Sequence, residues 1–502
     1  MMGALVTALV SLQTSPASGA SSTELLRQLD RLGSTARVLY VAAHPDDENT
    51  RMIAGLTVER NVEVAYLSLT RGSGGQNRIG TEQGDLLGVL RSGELLSARE
   101  IDGGRQFFTR ARDFGYSKRV EETLATWEEE AVLAAVMQVV QSFRPDVIVT
   151  RFRETGQTHG HHLASAVLAR RAVEGLARQE DAWTPKRVVL DIPTWRGEAN
   201  DVEFELTIGA FDPVRGLTTG EIAAASRSRH RSQGFGMAPD RDAHVEQLKH
   251  VWGDRAKADL LEGVDPGWKR LGDDGTIARA LQRARDEFAP SRPWAMLDAL
   301  FEARAAMARL PERPRVRDHR RNLDALIVRA AGLFVRAHVE ADGMAASAPV
   351  RVQIEVANRA GRDVRVAAVE IAGGDPGAVD AAVKAREPWR ETFEVPMPVG
   401  PPTATPWLWA EDRAASAPVE AWAVAPRDPH AMAVEVELSV DGHAVSAAVP
   451  VRRVWVDRSA GEREARFERL PAVTATPVQT VRLMPSGREQ AVTYALRRHD
   501  DV

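Results

Sequence analysis

The chain has 502 residues, 44% hydrophobic and 27% charged, which is the composition of a folded globular protein too long for one compact core. Its net charge is −5 at pH 7 and no Lys/Arg cluster stands out, so neither a nucleic acid nor an anionic membrane is the expected partner. The absence of cysteine excludes disulfides and thiolate metal sites, and leaves His and carboxylate side chains as the available metal ligands.

The first 20 residues have the pattern of a secretory signal peptide. Residues 4–12 form an apolar run, and small residues at 17–20 follow where a cleavage site is expected. The run is too short to cross a bilayer, and no later stretch is long and apolar enough to do so. The pattern predicts export to the periplasm or the cell exterior. No basic residue precedes the run, so a disordered tail on a cytoplasmic protein is the alternative.

Strands and helices alternate over the next part of the chain. Apolar or alternating runs predict strands at 37–43, 62–69, 106–109, 146–151 and 187–192. Helical periodicity lies between them at 48–60, 81–101, 128–143 and 162–178. This order predicts an α/β fold with a Rossmann-like, doubly wound, mostly parallel sheet, in which ligands bind beyond the carboxyl ends of the strands.

The second half of the chain has a different character. Residues 274–338 are rich in Ala, Leu and Arg at helical spacing. After Gly343, alternating segments predict antiparallel strands at 350–357, 364–371, 433–440 and 444–455. We therefore predict four parts: a signal peptide over 1–20, an α/β domain over 21–250, a helical segment over 251–338 and a β-rich, sandwich-like domain over 339–502.

A polar cluster, His44-Pro45-Asp46-Asp47-Glu48, follows the first predicted strand. Neighbouring carboxylates leave the backbone in different directions, so one of Asp46 and Asp47 can bind a metal while the other takes a proton from water. The alternative is a polar turn in which an Asp caps the next helix.

A second cluster, His159-Gly160-His161-His162, follows the strand predicted at 146–151. Thr158 is the predicted N-cap, which places His159 and His162 on one side of the first helical turn. The alternative is a solvated helix start, but a protonated His is unfavourable there, and a neutral, metal-bound imidazole avoids that cost. Together the two clusters predict a metal site at the carboxyl ends of the strands.

In these motifs the sequence resembles the PIG-L (LmbE-like) family of zinc-dependent N-deacetylases, and its long C-terminal half resembles the larger, exported bacterial members. The resemblance covers about residues 35–240. It rests, in chain order, on the following stretches: Ala43-His44-Pro45-Asp46-Asp47-Glu48, Leu69-Thr70-Arg71-Gly72, Arg91-x-x-Glu94-x-x-x-Ala98 and His159-x-x-His162.

The resemblance implies a role for each candidate residue. It makes His44, Asp47 and His162 the ligands of one Zn²⁺ per chain. Asp46 becomes the general base, and His159 stabilises the oxyanion or protonates the leaving amine.

The resemblance also assigns Arg91 to the substrate pocket and makes Asp113 a further active-site carboxylate. It implies removal of an acetyl group from an N-acetylglucosamine-type sugar or glycoconjugate. The chain departs from the family at Gly160 and His161, where the motif often reads Pro-Asp. Gln157 and Thr158 stand where some members place a Tyr, so no Tyr donor is predicted there.

Other interpretations remain open at this point. A nucleotide-binding Rossmann enzyme needs a Gly-rich turn directly after the first strand, which this chain lacks. A non-catalytic carbohydrate-binding or scaffold protein and an amidase acting on a non-sugar amide are the remaining alternatives. Arg91 has the alternative of a surface pair with Glu94. Residues 226–236 form either a loop that closes over the substrate or a solvated loop.

Overall fold

The computed structural model describes residues 20–193, 201–341, 343–345, 349–371, 377–398, 430–479 and 489–499, together with 403, 424–426 and 487. All but the last residue of the predicted signal peptide lies outside the described residues. Among the helices described, we find none with the length and apolar character that crossing a membrane requires.

The first half of the chain is an α/β fold, as predicted. Its strands are β1 (Arg37–Ala42), β2 (Glu63–Ser68), β3 (Arg105–Phe108), β4 (Val147–Thr150), β5 (Arg187–Ile192), β6 (Phe204–Ile208), β7 (Phe211–Asp212), β8 (Leu217–Thr218) and β9 (His244–Gly253). Its helices are α1 (Ser22–Leu32), α2 (Thr50–Ala54, continued by a π-helical turn over Gly55–Glu59), α3 (Asp85–Asp102), α4 (Val120–Trp127), α5 (Glu129–Phe143), α6 (Gly160–Leu176) and α7 (Thr219–Arg227).

The central sheet has the strand order β3-β2-β1-β4-β5-β9-β6. The first five strands in this order are parallel, and β9 and β6 add an antiparallel edge. Alternate residues of β1 enter two different cores, one on each face: Leu39 and Val41 in one, Val38 and Tyr40 in the other. The chain order reverses between β1 and β4, so a ligand site is expected beyond the carboxyl ends of these two strands.

The second half begins with three helices, α8 (Thr276–Glu287), α9 (Leu297–Ala308) and α10 (Pro314–Ala330). They share a core with Leu25 and Leu29 of α1, a helix that the sequence analysis missed. The strands that follow are β10 (Leu333–Val339), β11 (Gly343–Met344), β12 (Pro349–Asn358), β13 (Val364–Ile371), β14 (Gly377–Ala382), β15 (Trp389–Pro396), β16 (Ala433–Val440), β17 (His443–Asp457), β18 (Gly461–Arg466), β19 (Glu468–Arg469), β20 (Val473–Pro477) and β21 (Tyr494–Arg498).

Most of these strands form one connected sheet in the order β14-β13-β16-β17-β10-β12-β15, with β18 beside β17. Its two-layer, sandwich-like packing stays a prediction, as do the domain boundaries. The helical prediction over 251–338 is wrong at both ends, because β9 extends to Gly253 and β10 begins at Leu333. Gly332, with φ 67°, lies between α10 and β10, and the Phe and Val residues of β10 favour a strand there.

Candidate active site

The loop after β1 carries the first predicted cluster. Helix α2 is capped by Asn49, whose side-chain oxygen accepts hydrogen bonds from the backbone N–H groups of Arg51 (3.1 Å) and Met52 (3.2 Å). The alternative of a polar turn in which an Asp caps the next helix is therefore wrong. Asp46 and Asp47 are not needed as caps, and both line a cleft.

Asp47 lies between two histidines from different parts of the chain. Its Oδ2 is 3.0 Å from His44 Nδ1 and accepts the backbone N–H of His44 at 2.7 Å. Its Oδ1 is 3.4 Å from His162 Nε2. Burial alone would raise the pKa of Asp47, but His162 and His44 hold that pKa well below its usual range. Asp47 is therefore a carboxylate anion facing two imidazoles.

Helix α6 positions the second cluster. It begins at Gly160, and His159 is its N-cap, with Nδ1 accepting the backbone N–H of His161 at 3.4 Å. The predicted N-cap, Thr158, is therefore wrong, because an unprotonated imidazole nitrogen can accept this bond as a hydroxyl would. A side chain at Gly160 would clash with Ser117, which explains the glycine between the two histidines.

Among the residues that the structure describes, two groups of side chains can each hold a metal ion, and they share His44. One is His44, Asp47 and His162 and the other is His44, His159 and His161, with the ligand atoms of each group within 4.8 Å of one another. The first group includes a carboxylate, which balances the charge of a cation, and all its members line the cleft. It fits a catalytic divalent cation with a position open to substrate. The structure thus brings the three predicted ligands together.

His161 contacts the shared ligand from the side of the protein interior. It is fully buried (0% exposed), and its Nδ1 is 3.0 Å from His44 Nε2. Its Nε2 is buried without a hydrogen-bond partner among the described residues. His161 therefore orients His44, because a ligating imidazole usually bonds through its second nitrogen to a neighbouring group. The sequence analysis gave His161 no role.

Asp46 belongs to neither ligand group. Its side chain is 11% exposed and Oδ1 is 3.1 Å from Arg91 Nη2. Its φ is 103°, which residues other than glycine rarely adopt, and such strain is typical of functional sites. Burial raises the pKa of Asp46, while Arg91 opposes that rise.

Arg91 lines the cleft, but its guanidinium is bound to the protein. It is buried and donates to the backbone oxygens of Gly72 (2.9 Å) and Pro45 (2.6 Å). The alternative surface pair with Glu94 is wrong, because Glu94 accepts hydrogen bonds from Ser232. Arg91 therefore holds the cleft and Asp46 in shape, and its contact with substrate stays a prediction.

His159 is half-buried and faces the cleft. Burial and the neighbouring His44 and His162 lower the pKa of His159 to about 4, so it is neutral at pH 7. The backbone N–H groups of Ser117 (3.3 Å) and His161 (3.4 Å) both point at Nδ1. The carbonyl oxygen of Ser117 lies 3.2 Å from the same Nδ1, so the contacts of Nδ1 fit either tautomer of the neutral ring.

The loop over residues 113–116 lies against the histidines and forms part of the cleft wall. Asp113 accepts the N–H of Gly115 at 3.0 Å and lies 3.8 Å from His161 Nδ1. Tyr116, 71% exposed, stacks on His159 with ring centroids 4.8 Å apart. The sequence analysis missed Tyr116, although it follows Asp113 by three positions in the same loop.

The Gly-rich wall (residues 72–75) passes against these side chains. A Cβ at Gly72 or Gly75 would clash with the Arg91 guanidinium, and one at Gly74 would clash with Asp113. The glycines are therefore needed for close packing around the cleft.

Residues 226–236 are fixed to the first cluster. The buried His230 places Nε2 2.8 Å from Glu48 Oε1, and Glu48 is also bonded to Arg99. Ser226 donates to the buried Asp102 at 2.6 Å. The segment is therefore a rigid support behind the cluster, and the alternative of a solvated loop is wrong for its buried part.

The cleft has a volume of about 330 Å³ and opens to solvent. It contains every residue to which the sequence analysis gave a role. Its lining comprises His44, Asp46, Asp47, Gly74, Gly75, Gln76, Arg91, Asp113, Gly115, Tyr116, His159 and His162.

Residues 39–173, which contain both clusters, match the family model for PIG-L, GlcNAc-PI de-N-acetylase. The 1D-myo-inositol 2-acetamido-2-deoxy-alpha-D-glucopyranoside deacetylase of Kineococcus radiotolerans is 34% identical over 161 residues, 27% of this chain and 44% of that protein. The protein of the same name from Rhodococcus opacus is 33% identical over 174 residues, 30% of this chain and 59% of that protein. The chain thus spans about half the length of these relatives.

A third protein of this name, from Mycolicibacterium smegmatis, is 27% identical over 238 residues, 41% of this chain and 82% of that protein. Among solved structures, GalB, the 4-carboxy-2-hydroxymuconate hydratase of Pseudomonas putida KT2440, matches with 15% identity and a TM-score of 0.32, covering 44% of this chain and 98% of its own. A deacetylase triple mutant of the teicoplanin biosynthetic pathway matches with 14% identity and a TM-score of 0.28, covering 43% and 99%.

Proposed function

We propose that this chain, whose residues 39–173 belong to the PIG-L family, is a metal-dependent hydrolase that removes an acetyl group from the amide nitrogen of an N-acetylglucosamine-type sugar or glycoconjugate. The names of the relatives, deacetylases of a 2-acetamido-2-deoxy-glucopyranoside, support this substrate class. One observation carries the proposal. Three side chains that can bind a metal converge in the cleft. The carboxylate of Asp46 lines the same cleft outside this ligand group and is paired with Arg91.

We propose Zn²⁺ as the ion, with His44, Asp47 and His162 as its ligands. Two imidazoles and one carboxylate without cysteine are a donor set typical of catalytic zinc sites. When bound, zinc polarises the amide carbonyl and makes water more acidic.

Asp46 would act as the general base. It lines the cleft next to the ligand group, so it can accept a proton from the attacking water. Its raised pKa makes it a better proton acceptor than an ordinary exposed Asp. The contact with Arg91 fixes one carboxylate oxygen and leaves the other as the proton acceptor.

His159 would stabilise the oxyanion of the tetrahedral intermediate. Its neutral form, in the tautomer with the proton on Nε2, would be a hydrogen-bond donor that requires no prior protonation. When the C–N bond breaks, the proton collected by Asp46 must reach the leaving amine, and both Asp46 and His159 line the cleft where this transfer occurs. Asp113 and Arg91 line the same cleft, and we propose that they contribute to binding the sugar.

The proposal is tested by measuring acetate release from N-acetylglucosamine glycosides and from a panel of non-sugar N-acyl amides. The purified protein is first stripped of metal with a chelator and then given Zn²⁺. We expect activity on the sugar amides that is lost on stripping and restored by zinc. Zinc binding without activity on any amide would favour the non-catalytic binding protein, and activity confined to non-sugar amides would favour the amidase.

We also propose that the protein is exported, on the basis of the apolar run at 4–12 and the small residues at 17–20. Mass spectrometry of the protein from culture medium and periplasm would test this. A mature N-terminus near residue 20 is expected, whereas an intact N-terminus in the cytoplasmic fraction would contradict it.

A further inference from the structure

Three residues from the C-terminal half contact the α/β domain beside the cleft. Residues 424–426, here called the docking segment, lie between β15 and β16. Arg71 donates hydrogen bonds from Nη1 to the carbonyl of Pro426 (3.0 Å) and from Nη2 to that of Ala425 (3.3 Å). Val424 is 2% exposed and belongs to the core on one face of the central sheet. The docking segment therefore combines an apolar anchor with two hydrogen bonds.

The receiving side of this contact is well ordered by its own packing. Arg71 is buried, its guanidinium lies 4.1 Å from the ring centre of Phe108, and Nη1 is 3.3 Å from Ser92 Oγ on α3. The planar guanidinium of a packed arginine is already held in place. It therefore loses little conformational entropy when it binds two further carbonyl acceptors. The site is thus shaped to accept the docking segment.

The contact is close to both loops of the cleft. Arg71 directly precedes the Gly-rich wall, and the carbonyl of Gly72 accepts the hydrogen bond from Arg91. The core that receives Val424 contains Leu69, just before this wall, and Ala111, two residues before Asp113. A wall of glycines has few side chains to hold it in place, so its position depends on neighbouring contacts.

The described residues on either side of the docking segment belong to the C-terminal β-rich region. The backbone N–H of Thr403 donates to the carbonyl of Arg469 at 2.9 Å, and its hydroxyl donates to Glu468. Ala431 and Met432 are buried in the core that this region shares with α8–α10. Ala431 follows Pro426 by only five positions, so the docking segment is closely tied along the chain to the C-terminal core.

We infer that the docking segment has a positioning role. Through this segment the C-terminal region holds the Gly-rich wall against Arg91 and so keeps the cleft in shape. The docking itself is independent of the enzymatic activity, whereas its effect on catalysis rests on the proposed function. The C-terminal half is then not an independent carbohydrate-binding module connected only by a linker.

Docking is tested by thiol labelling, because the chain has no cysteine and a single introduced thiol is unambiguous. Val424→Cys preserves a small apolar side chain at the buried position. Val456→Cys is the matched control, since Val456 on β17 is 78% exposed. We expect a maleimide to label Val424→Cys at least about tenfold more slowly than Val456→Cys in the native protein, and equally fast after denaturation. Equal rates in the native protein would overturn the docking.

The positioning effect is tested with Val424→Asp and the control Val456→Asp. We expect Val424→Asp to speed hydrogen exchange in residues 70–76 and to raise KM about tenfold, with kcat and zinc content nearly unchanged. Exchange and KM equal to those of Val456→Asp would overturn the inference. If the protein hydrolyses no amide at all, the proposed function fails, while exchange at 70–76 still decides the docking effect.

Discussion

The two ends of the central sheet each bury a cluster of charged and polar side chains, and the clusters differ in how their atoms are paired. At the amino end, Asp146 before β4 accepts the backbone N–H of Arg37 at 2.8 Å and hydrogen bonds from Arg270 and Arg315. No buried side-chain atom of these four residues lacks a partner among the described residues.

At the carboxyl end the pairing is incomplete. Within the described part of the chain, His161 Nε2 and His162 Nδ1 are buried without partners, and Asp46 adopts a strained backbone conformation. Buried polar atoms are normally paired, and the exceptions require an explanation such as a missing ion or a catalytic role. The amino-end cluster therefore joins parts of the fold, whereas the carboxyl-end cluster keeps binding capacity for a ligand.

The largest expected effect is at the carboxyl end. Asp46→Asn should lower kcat by about 10²- to 10⁴-fold, because it removes the proton acceptor without removing a metal ligand. Steady-state kinetics with zinc analysis by mass spectrometry check this. Zinc content should match that of the wild type, and an Asp46→Asn protein with wild-type kcat would contradict the assignment of the base.

At the amino end we expect a change in stability with no effect on metal binding. Asp146→Asn should lower the free energy of unfolding by about 3–5 kcal/mol, because Arg270 and Arg315 would keep buried charges without their partner. Urea unfolding measures this. The control is Asp380→Asn, which removes the exposed pair with Arg365 and should leave the midpoint unchanged. Equal midpoints for the two variants would show that the cluster at Asp146 does not stabilise the fold.

A second buried carboxylate, Glu246 on β9, lies near the carboxyl end of the sheet. Burial, then the charge of Asp191, raises the pKa of Glu246 from its ordinary 4.5 to about 7. The native state therefore keeps a proton that the unfolded chain releases, and the stabilisation is complete below pH 4.5 and lost as pH rises through 7.

Relative to Glu246→Gln, the wild type should thus lose about 2–3 kcal/mol of unfolding free energy between pH 5 and pH 8. Urea unfolding at several pH values measures the difference. Glu205→Gln, at an exposed position of the neighbouring β6, is the control and should show no such trend. A Glu246→Gln protein with the wild-type pH dependence would refute the prediction.

The smallest expected effect distinguishes the two metal-binding groups. If His161 only orients His44, His161→Phe should weaken zinc affinity by about 10- to 100-fold, measured by competition with a coloured chelator. His161→Asn, which keeps an acceptor for His44 Nε2, should weaken it less. A loss with His161→Phe that exceeds the loss with His162→Ala would instead favour the group of His44, His159 and His161.

The sequence predicts those parts of the site that depend on local pattern. The strand before His44, the helix that carries His162 and the order of the motifs all follow from residue spacing, and the structure brings the predicted residues into one cleft. The sequence could not predict the contact of His230 with Glu48 across 182 positions, because a buried hydrogen bond between distant segments leaves no periodic signal. The N-cap at His159 was missed because a histidine rarely takes that position.

The role of Arg91 shows the same limit. Its motif places it near the substrate, but only the fold shows that its donors are bound to Gly72, Pro45 and Asp46. Strand β10 was read as helix because it directly follows the Ala-, Leu- and Arg-rich helical run, although its own Phe and Val residues favour a strand and it pairs with β12.

Helix α1 packs against residues that are synthesised much later than α1 itself. Leu25, Leu29 and Leu32 of α1 are buried in a core whose buried members outside α1 begin at Trp268, and the Trp268 indole donates to the carbonyl of Leu32 at 2.8 Å. At a synthesis rate of roughly 5–20 residues per second, α1 waits on the order of tens of seconds for these partners. Until the helical segment has been made, the apolar face of α1 has no core in which to be buried.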